Sequence, residues 1–196
     1  MIETAATSPR IQPVEPPYEP DVDAYFAKLM PPGSGLEPLK LFRTLAVNFD
    51  LASRMRPLGA GLLAHNTIAP RERELVILRT TALNGAEYEW GVHATFFKEL
   101  TREEIRGSVP GESYGWTESD ALLIRLCDEL NATAGVSDEL WDGLHRHWSD
   151  PQLIELLVLA GWYRTISGVI NAVQLEPEPW ASRFPAGTRA NTPARP

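Results

Sequence analysis

A glutamate and a histidine stand four residues apart in the segment AEYEWGVHATFFKEL, at Glu89 and His93. Because an α-helix brings residues at this spacing onto one face, the carboxylate and the imidazole are predicted to be neighbours. Ala86 and Phe97 extend that face, so the pair is set into an apolar stripe. Burial there would raise the carboxyl pKa, whereas pairing would favour a negative glutamate beside a positive histidine. In either state the pair could transfer protons near neutral pH.

A second glutamate, Glu74, stands at the edge of the apolar run in the preceding segment, RERELVILRTTAL. Its carboxylate could join the site or could only favour the positive N-terminal end of its helix. Glu89 and His93 have a comparable alternative, a solvated surface ion pair. Tyr88 is a catalytic candidate and Trp90 a substrate-binding one, although such side chains more often serve packing.

Three further polar residues are candidates for substrate binding. Arg79 and Arg164 lie on otherwise apolar helices and could each anchor an anionic substrate, with an ion pair as the open alternative. His65, in an apolar linker before the hairpin, could line the pocket or serve a structural role. A metal site is the weaker interpretation, because Glu89 and His93 supply two ligands and Glu74 would have to complete the set.

Helical periodicity predicts the elements that carry these residues, and sustained period-two alternation is absent, so we predict an all-α fold. Pro57 and the glycines that follow are expected to end the second helix. Thr101 with Glu104 forms a capping-box pattern, and Thr117 is a predicted N-cap. Asn84-Gly85 is a predicted stop between two helices. The predicted helices cover roughly residues 21–30, 38–55, 70–83, 86–100, 101–108, 118–132, 137–148 and 151–173.

The two ends of the chain are rich in proline. We predict an extended N-terminal arm over residues 1–20, a single helical domain over 21–176 and a C-terminal tail over 177–196. Trp180 and Phe184 suggest that the tail docks on an apolar surface.

Composition excludes several classes of function. The formal charge of -8 argues against a nucleic acid or an anionic membrane as the partner. The single cysteine, Cys127, cannot form an intrachain disulfide.

The N-terminus has no basic start followed by an apolar core, so no secretory signal is expected. The apolar run of the last predicted helix contains Glu155 and Arg164, which favours a buried bundle helix over a membrane span. We therefore expect a cytoplasmic protein.

The hairpin resembles the carboxymuconolactone decarboxylase and alkylhydroperoxidase D superfamily. There, a glutamate on one helix precedes a Cys-x-x-Cys-x-x-x-His segment on the next. In this chain Glu74 matches that glutamate and His93 the histidine, while Ala86 and Glu89 stand at the two cysteine positions. Tyr88 lies between those positions.

The resemblance implies a compact helical bundle of this type without the redox pair. Peroxide reduction needs a thiolate and a second thiol, so the decarboxylase branch is the closer match. A cofactor-free, metal-free acid–base enzyme acting on a small carboxylated lactone or related carbonyl compound is then expected. His93 would donate or accept the proton, Glu89 would set its protonation state, and Glu74 and Tyr88 would orient it or relay the proton.

Two alternatives remain open: a non-catalytic ligand-binding or assembly oligomer, and, less favoured, an alkylhydroperoxidase-type antioxidant that uses Cys127. The resemblance also implies a homo-oligomer, either a dimer, a trimer or a hexamer, with a small molecule as the other partner.

Overall fold

The computed structural model describes residues 8–30 and 35–188. Residues 31–34, which are most of the break predicted over 31–35 after the first helix, lie outside the described residues, as do the first seven residues of the N-terminal arm and residues 189–196 of the tail. Within the described ranges all regular structure is helical, which confirms the all-α prediction. The α-helices there are α1 Pro20–Phe26, α2 Lys40–Leu45, α3 Phe49–Ala64, α4 Pro70–Leu83, α5 Glu87–Phe96, α6 Arg102–Gly107, α7 Glu118–Thr133, α8 Asp138–His145 and α9 Asp150–Val173.

Helix α4 is the central element of the bundle. Pro70 occupies its first turn, where a missing N–H is tolerated. Leu75, Val76 and Ile77 are fully buried as α4 packs against α5, α7 and α9. The chain then turns at Gly85, whose φ of 63° lies in the left-handed region that glycine enters without strain. The predicted stop is thus confirmed, and α4 and α5 form a tight hairpin.

The caps of α6 and α7 help to position the N-terminal end of α4. In the predicted capping box, the Thr101 hydroxyl accepts from the Glu104 N–H at 3.3 Å and the Glu104 carboxylate accepts from the Thr101 N–H at 2.7 Å. Thr117 caps α7 as predicted, through the N–H of Asp120 at 3.2 Å. The carboxylates of Glu104 and Asp120 both bind Arg71 of α4.

The predicted end of the second helix is wrong. A short 3-10 helix, Ala46–Asn48, divides the predicted segment, and α3 then continues through Pro57 to Ala64. A Cβ at Gly59 would lie 3.0 Å from a ring carbon of Trp162 on α9. Packing against α9 therefore keeps in helical form a segment whose local sequence favours a stop.

Helix α9 is apolar enough and long enough to span a membrane by composition alone. In the bundle its buried face packs against α4, with Leu153, Leu156 and Leu159 almost fully enclosed. A core position accounts for the apolar run that the sequence shows.

Both proline-rich ends pack on their own chain where the structure describes them. The N–H of Arg10 donates to the Val173 carbonyl at 2.7 Å. The N–H of Val14 donates to the Arg43 carbonyl at 3.2 Å. In the tail, Phe184 packs on Trp90 with ring centroids 5.0 Å apart. The apolar docking expected of the tail is therefore an intrachain contact.

Candidate active site

Glu74 lies inside the bundle and joins α4 to α5. The residue is 1% exposed. One carboxylate oxygen accepts from Nε of Arg73 at 2.9 Å, and the other contacts Nδ1 of His93 at 2.7 Å. Arg73 also donates to the Leu63 carbonyl at 2.9 Å, which fixes the guanidinium. A favourable interaction with the helix N-terminus does not explain this position, because both carboxylate oxygens are engaged by side chains.

His93 and Glu89 share one face of α5, as their spacing predicts. Both are buried, so they do not form a solvated surface pair. The Nε2 atom of His93 lies 3.6 Å from Oε1 of Glu89, which is too long for a good hydrogen bond. The imidazole stacks on Phe97 at 4.8 Å and meets the edge of Tyr163 at 5.1 Å. These contacts hold the ring in one orientation.

The electrostatic environment keeps His93 protonated at neutral pH. Burial by itself lowers the pKa of His93, but the charge of Glu74, the hydrogen bond to it and the carboxylate of Glu89 together raise that pKa to about 9. The imidazolium and the Arg73 guanidinium then balance the two carboxylates, so a buried neutral set of four charged groups forms.

This charged set borders an apolar cavity of about 540 Å³. Glu89 and His93 both line it, and Oε2 of Glu89 is buried without a hydrogen-bond partner. A buried polar atom without a partner is unfavourable, and a bound ligand could satisfy it. The wall is otherwise largely hydrophobic, and it includes Leu29, Leu41, Phe42, Leu45, Met55, Leu63, Val92, Phe96, Phe97, Trp162 and Ile166.

Tyr88 and Trp90 do not line this cavity. The Tyr88 hydroxyl donates to Glu178 at 2.7 Å and accepts from the N–H of Leu41 at 3.0 Å. Burial and the Glu178 charge raise the pKa of Tyr88 far above its ordinary value. The Trp90 ring donates to the Ser108 hydroxyl at 3.1 Å and does not border the cavity of Glu89. The structure therefore does not bring either side chain together with His93.

Arg79, Arg164 and His65 also lie away from the cavity lining. Arg79 forms a bidentate ion pair with Asp128 at 2.7 and 2.9 Å, which is the alternative left open for it. Arg164 donates to the Leu130 carbonyl at 3.0 Å from an exposed position. His65 is exposed where α3 ends.

The two alternatives based on a thiol or a metal find little support in the geometry. Cys127 is buried, and burial raises the pKa of its thiol to about 12, so it stays protonated. Among the described residues, no group of three or more His, Cys, Asp or Glu side chains is arranged to hold a metal ion.

Three side chains that complete the arrangement were not predicted from the sequence. Arg73 binds Glu74 and lies 5.8 Å over the Phe97 ring, and Tyr163 contacts His93. Arg56 lines the cavity. The charge of Arg73 next to Glu74 at the edge of an apolar run was the available signal. Nothing local pointed to Tyr163 or Arg56, because they lie on helices distant in sequence.

Comparison with known proteins confirms the resemblance. Residues 50–109 match the model of the carboxymuconolactone decarboxylase family. That segment holds Glu74, Glu89 and His93, and it contains no cysteine. No curated protein matches the sequence.

Solved structures show the same AhpD-like fold. A peroxidase-related protein from Silicibacter sp. TM1040 has a TM-score of 0.73 at 12% identity, over 89% of this chain and 96% of its own. The debrominase Bmp8, as a cysteine-to-alanine variant with 2,3,4-tribromopyrrole, has a TM-score of 0.73 at 16% identity, over 87% and 92%. A protein of unknown function from Agrobacterium tumefaciens, provisionally named as the antioxidant defence protein AhpD, has a TM-score of 0.62 at 20% identity, over 68% and 95%.

Proposed function

We propose that this protein is a cofactor-independent acid–base enzyme of the decarboxylase or isomerase type. Its substrate is a small carboxylated lactone or a related carbonyl compound. One observation carries the proposal: a buried hydrogen-bonded chain from Arg73 through Glu74 to His93 ends beside Glu89 in the wall of an apolar cavity. Such a chain places an acid and a base where a ligand excludes water.

His93 supplies the acid in this proposal. Its pKa of about 9 makes it an imidazolium at neutral pH. Because Nδ1 is bound to Glu74, Nδ1 is the nitrogen that faces away from the cavity. Nε2 is then the nitrogen that can donate a proton to a substrate oxygen or carbon. Developing negative charge on a carbonyl oxygen would be stabilised by the same N–H.

Glu89 supplies the base, through the oxygen that lacks a partner. In an isomerisation, Glu89 removes a proton from the carbon next to the carbonyl, His93 stabilises the enolate oxygen, and the proton returns to a different carbon. In a decarboxylation, the bond to the carboxylate carbon breaks, carbon dioxide leaves, and the electron pair remains in the conjugated carbonyl system. His93 then protonates carbon and recovers its proton from solvent.

The experiment is ultraviolet-monitored turnover of a carboxylated muconolactone by the wild type and by the Glu89→Gln and His93→Ala variants. His145→Ala, on the surface of α8, is the matched control. Turnover lost in the two site variants and kept in the control supports the proposal. Equal turnover in wild type and Glu89→Gln contradicts it. Binding of small carbonyl acids with no turnover would favour the alternative of a ligand-binding oligomer.

The proposal includes assembly into a cytoplasmic homo-oligomer. Large apolar side chains are exposed on two neighbouring helices, Leu51 and Leu58 on α3 and Ile154 and Val158 on α9. A second copy of the chain would remove them from water. Light scattering after size-exclusion chromatography checks this point, and a monomer at micromolar concentration would contradict it.

A further inference from the structure

Arg56 differs from nearly every other arginine in the described part of the chain. Most of them bind a carboxylate or a backbone carbonyl, as Arg73 and Arg79 do. In that part of the chain, Arg56 and Arg102 make neither a hydrogen bond nor an ion pair. Arg102 is exposed, whereas Arg56 is half-buried. Partial removal of an unpaired guanidinium from water is unfavourable unless an anion joins it.

Arg56 places its unpaired charge in the wall of the cavity that Glu89 and His93 line. It lies on α3 between Met55 and Gly59, and all three line the cavity. The Arg56 charge also reaches the neighbouring Tyr25, where it opposes the burial that raises the pKa of that phenol.

The charges in the cavity wall favour an anion although the whole chain carries -8. Lys28, Arg56 and the protonated His93 face one carboxylate in the lining, that of Glu89. The second carboxylate of the buried set, Glu74, is not part of the lining and is bound by Arg73 and His93. A local excess of positive charge therefore surrounds an apolar space.

We propose that Arg56 binds the carboxylate of the ligand, and that the apolar body of this ligand fills the cavity toward His93. That this ligand is the substrate of the enzyme rests on the proposed function. A guanidinium matches a carboxylate through two parallel hydrogen bonds. One half-buried arginine suits a singly charged acid better than a doubly charged phosphate ester, because Lys28, the other cation of the lining besides His93, is exposed and stays hydrated.

The test uses equilibrium binding of two unreactive probes of the same shape, phenylacetate and phenylacetamide, by isothermal titration calorimetry. We expect the wild type to bind the acid about tenfold or more tightly than the amide, as for a charge-assisted hydrogen bond. Arg56→Gln should weaken acid binding by a similar factor and leave amide binding within about twofold. Arg54→Gln, two residues away on a different side of α3 and in an exposed ion pair with Asp50, is the matched control and should bind like the wild type.

The inference is overturned if Arg56→Gln keeps the preference for the acid, if Arg54→Gln loses it to the same extent, or if the wild type fails to prefer the acid. Because the probes do not react, the result is separate from that of the turnover assay. A Glu89→Gln variant that cannot turn over substrate but still prefers phenylacetate would support Arg56 while leaving the catalytic proposal to its own test.

Discussion

Nδ1 of His93 lies 2.7 Å from Oε2 of Glu74, although the two residues belong to different helices and both are almost fully buried. This contact joins the two helices of the central hairpin at the cavity wall. It also determines the charge of the imidazole, which leads to the first three predictions below.

The first concerns the titration of His93. We expect a pKa of about 9 in the wild type and a value below the ordinary 6.5 in Glu74→Gln, because burial then dominates. Glu89 and Arg73 remain in both proteins. NMR titration of the imidazole carbons measures this. A similar pKa in both proteins would show that Glu74 does not control the proton.

The same shift makes stability depend on pH. The folded pKa lies above the unfolded value, so the stabilisation is fully present below about pH 6.5 and is lost as the pH rises through about 9. The wild type should lose up to about 3 kcal/mol of unfolding free energy over that window. Glu74→Gln should lack this loss. Urea unfolding at a series of pH values is the measurement.

Removal of the carboxylate should also be costly at neutral pH. Glu74→Ala leaves Arg73 and His93 buried without their partner, and we expect a loss of about 3–5 kcal/mol. Glu103→Ala, at an exposed position on α6, serves as the control and should change stability by less than about 0.5 kcal/mol. Equal effects of the two changes would argue against a buried charged set.

The Tyr88→Phe variant tests whether the Tyr88 hydroxyl has a structural or a catalytic role. Tyr88→Phe removes the hydrogen bonds to Glu178 and Leu41 and should cost about 1 kcal/mol or slightly more. Turnover should stay within about twofold of the wild type, because the hydroxyl is engaged outside the cavity. A tenfold loss of turnover with folding intact would instead assign Tyr88 to the proton relay.

The last prediction concerns the tail. A Cβ at Gly91 would lie 2.1 Å from the backbone oxygen of Ser182, so Gly91→Ala should displace the tail from α5 and lower the melting temperature. Gly161→Ala, at an open position of α9, is the control and should be neutral or stabilising by up to about 1 kcal/mol. Faster proteolysis of the tail in Gly91→Ala alone would identify the site of the change.

Local sequence was sufficient for the features that depend on neighbours along the chain. The turn at Gly85, the Thr101 capping box and the shared face of Glu89 and His93 follow from helix geometry and backbone hydrogen bonding. The resemblance in the hairpin added Glu74 to the pair.

Tertiary structure alone decided which residues from different helices meet. Pro57 stays helical because α3 packs on α9, Tyr88 is held by the distant Glu178, and Arg56 reaches the cavity from α3. The spacing of residues determines their positions around one helix. The face of the next helix that they contact is determined by packing across the whole bundle, which no local pattern records.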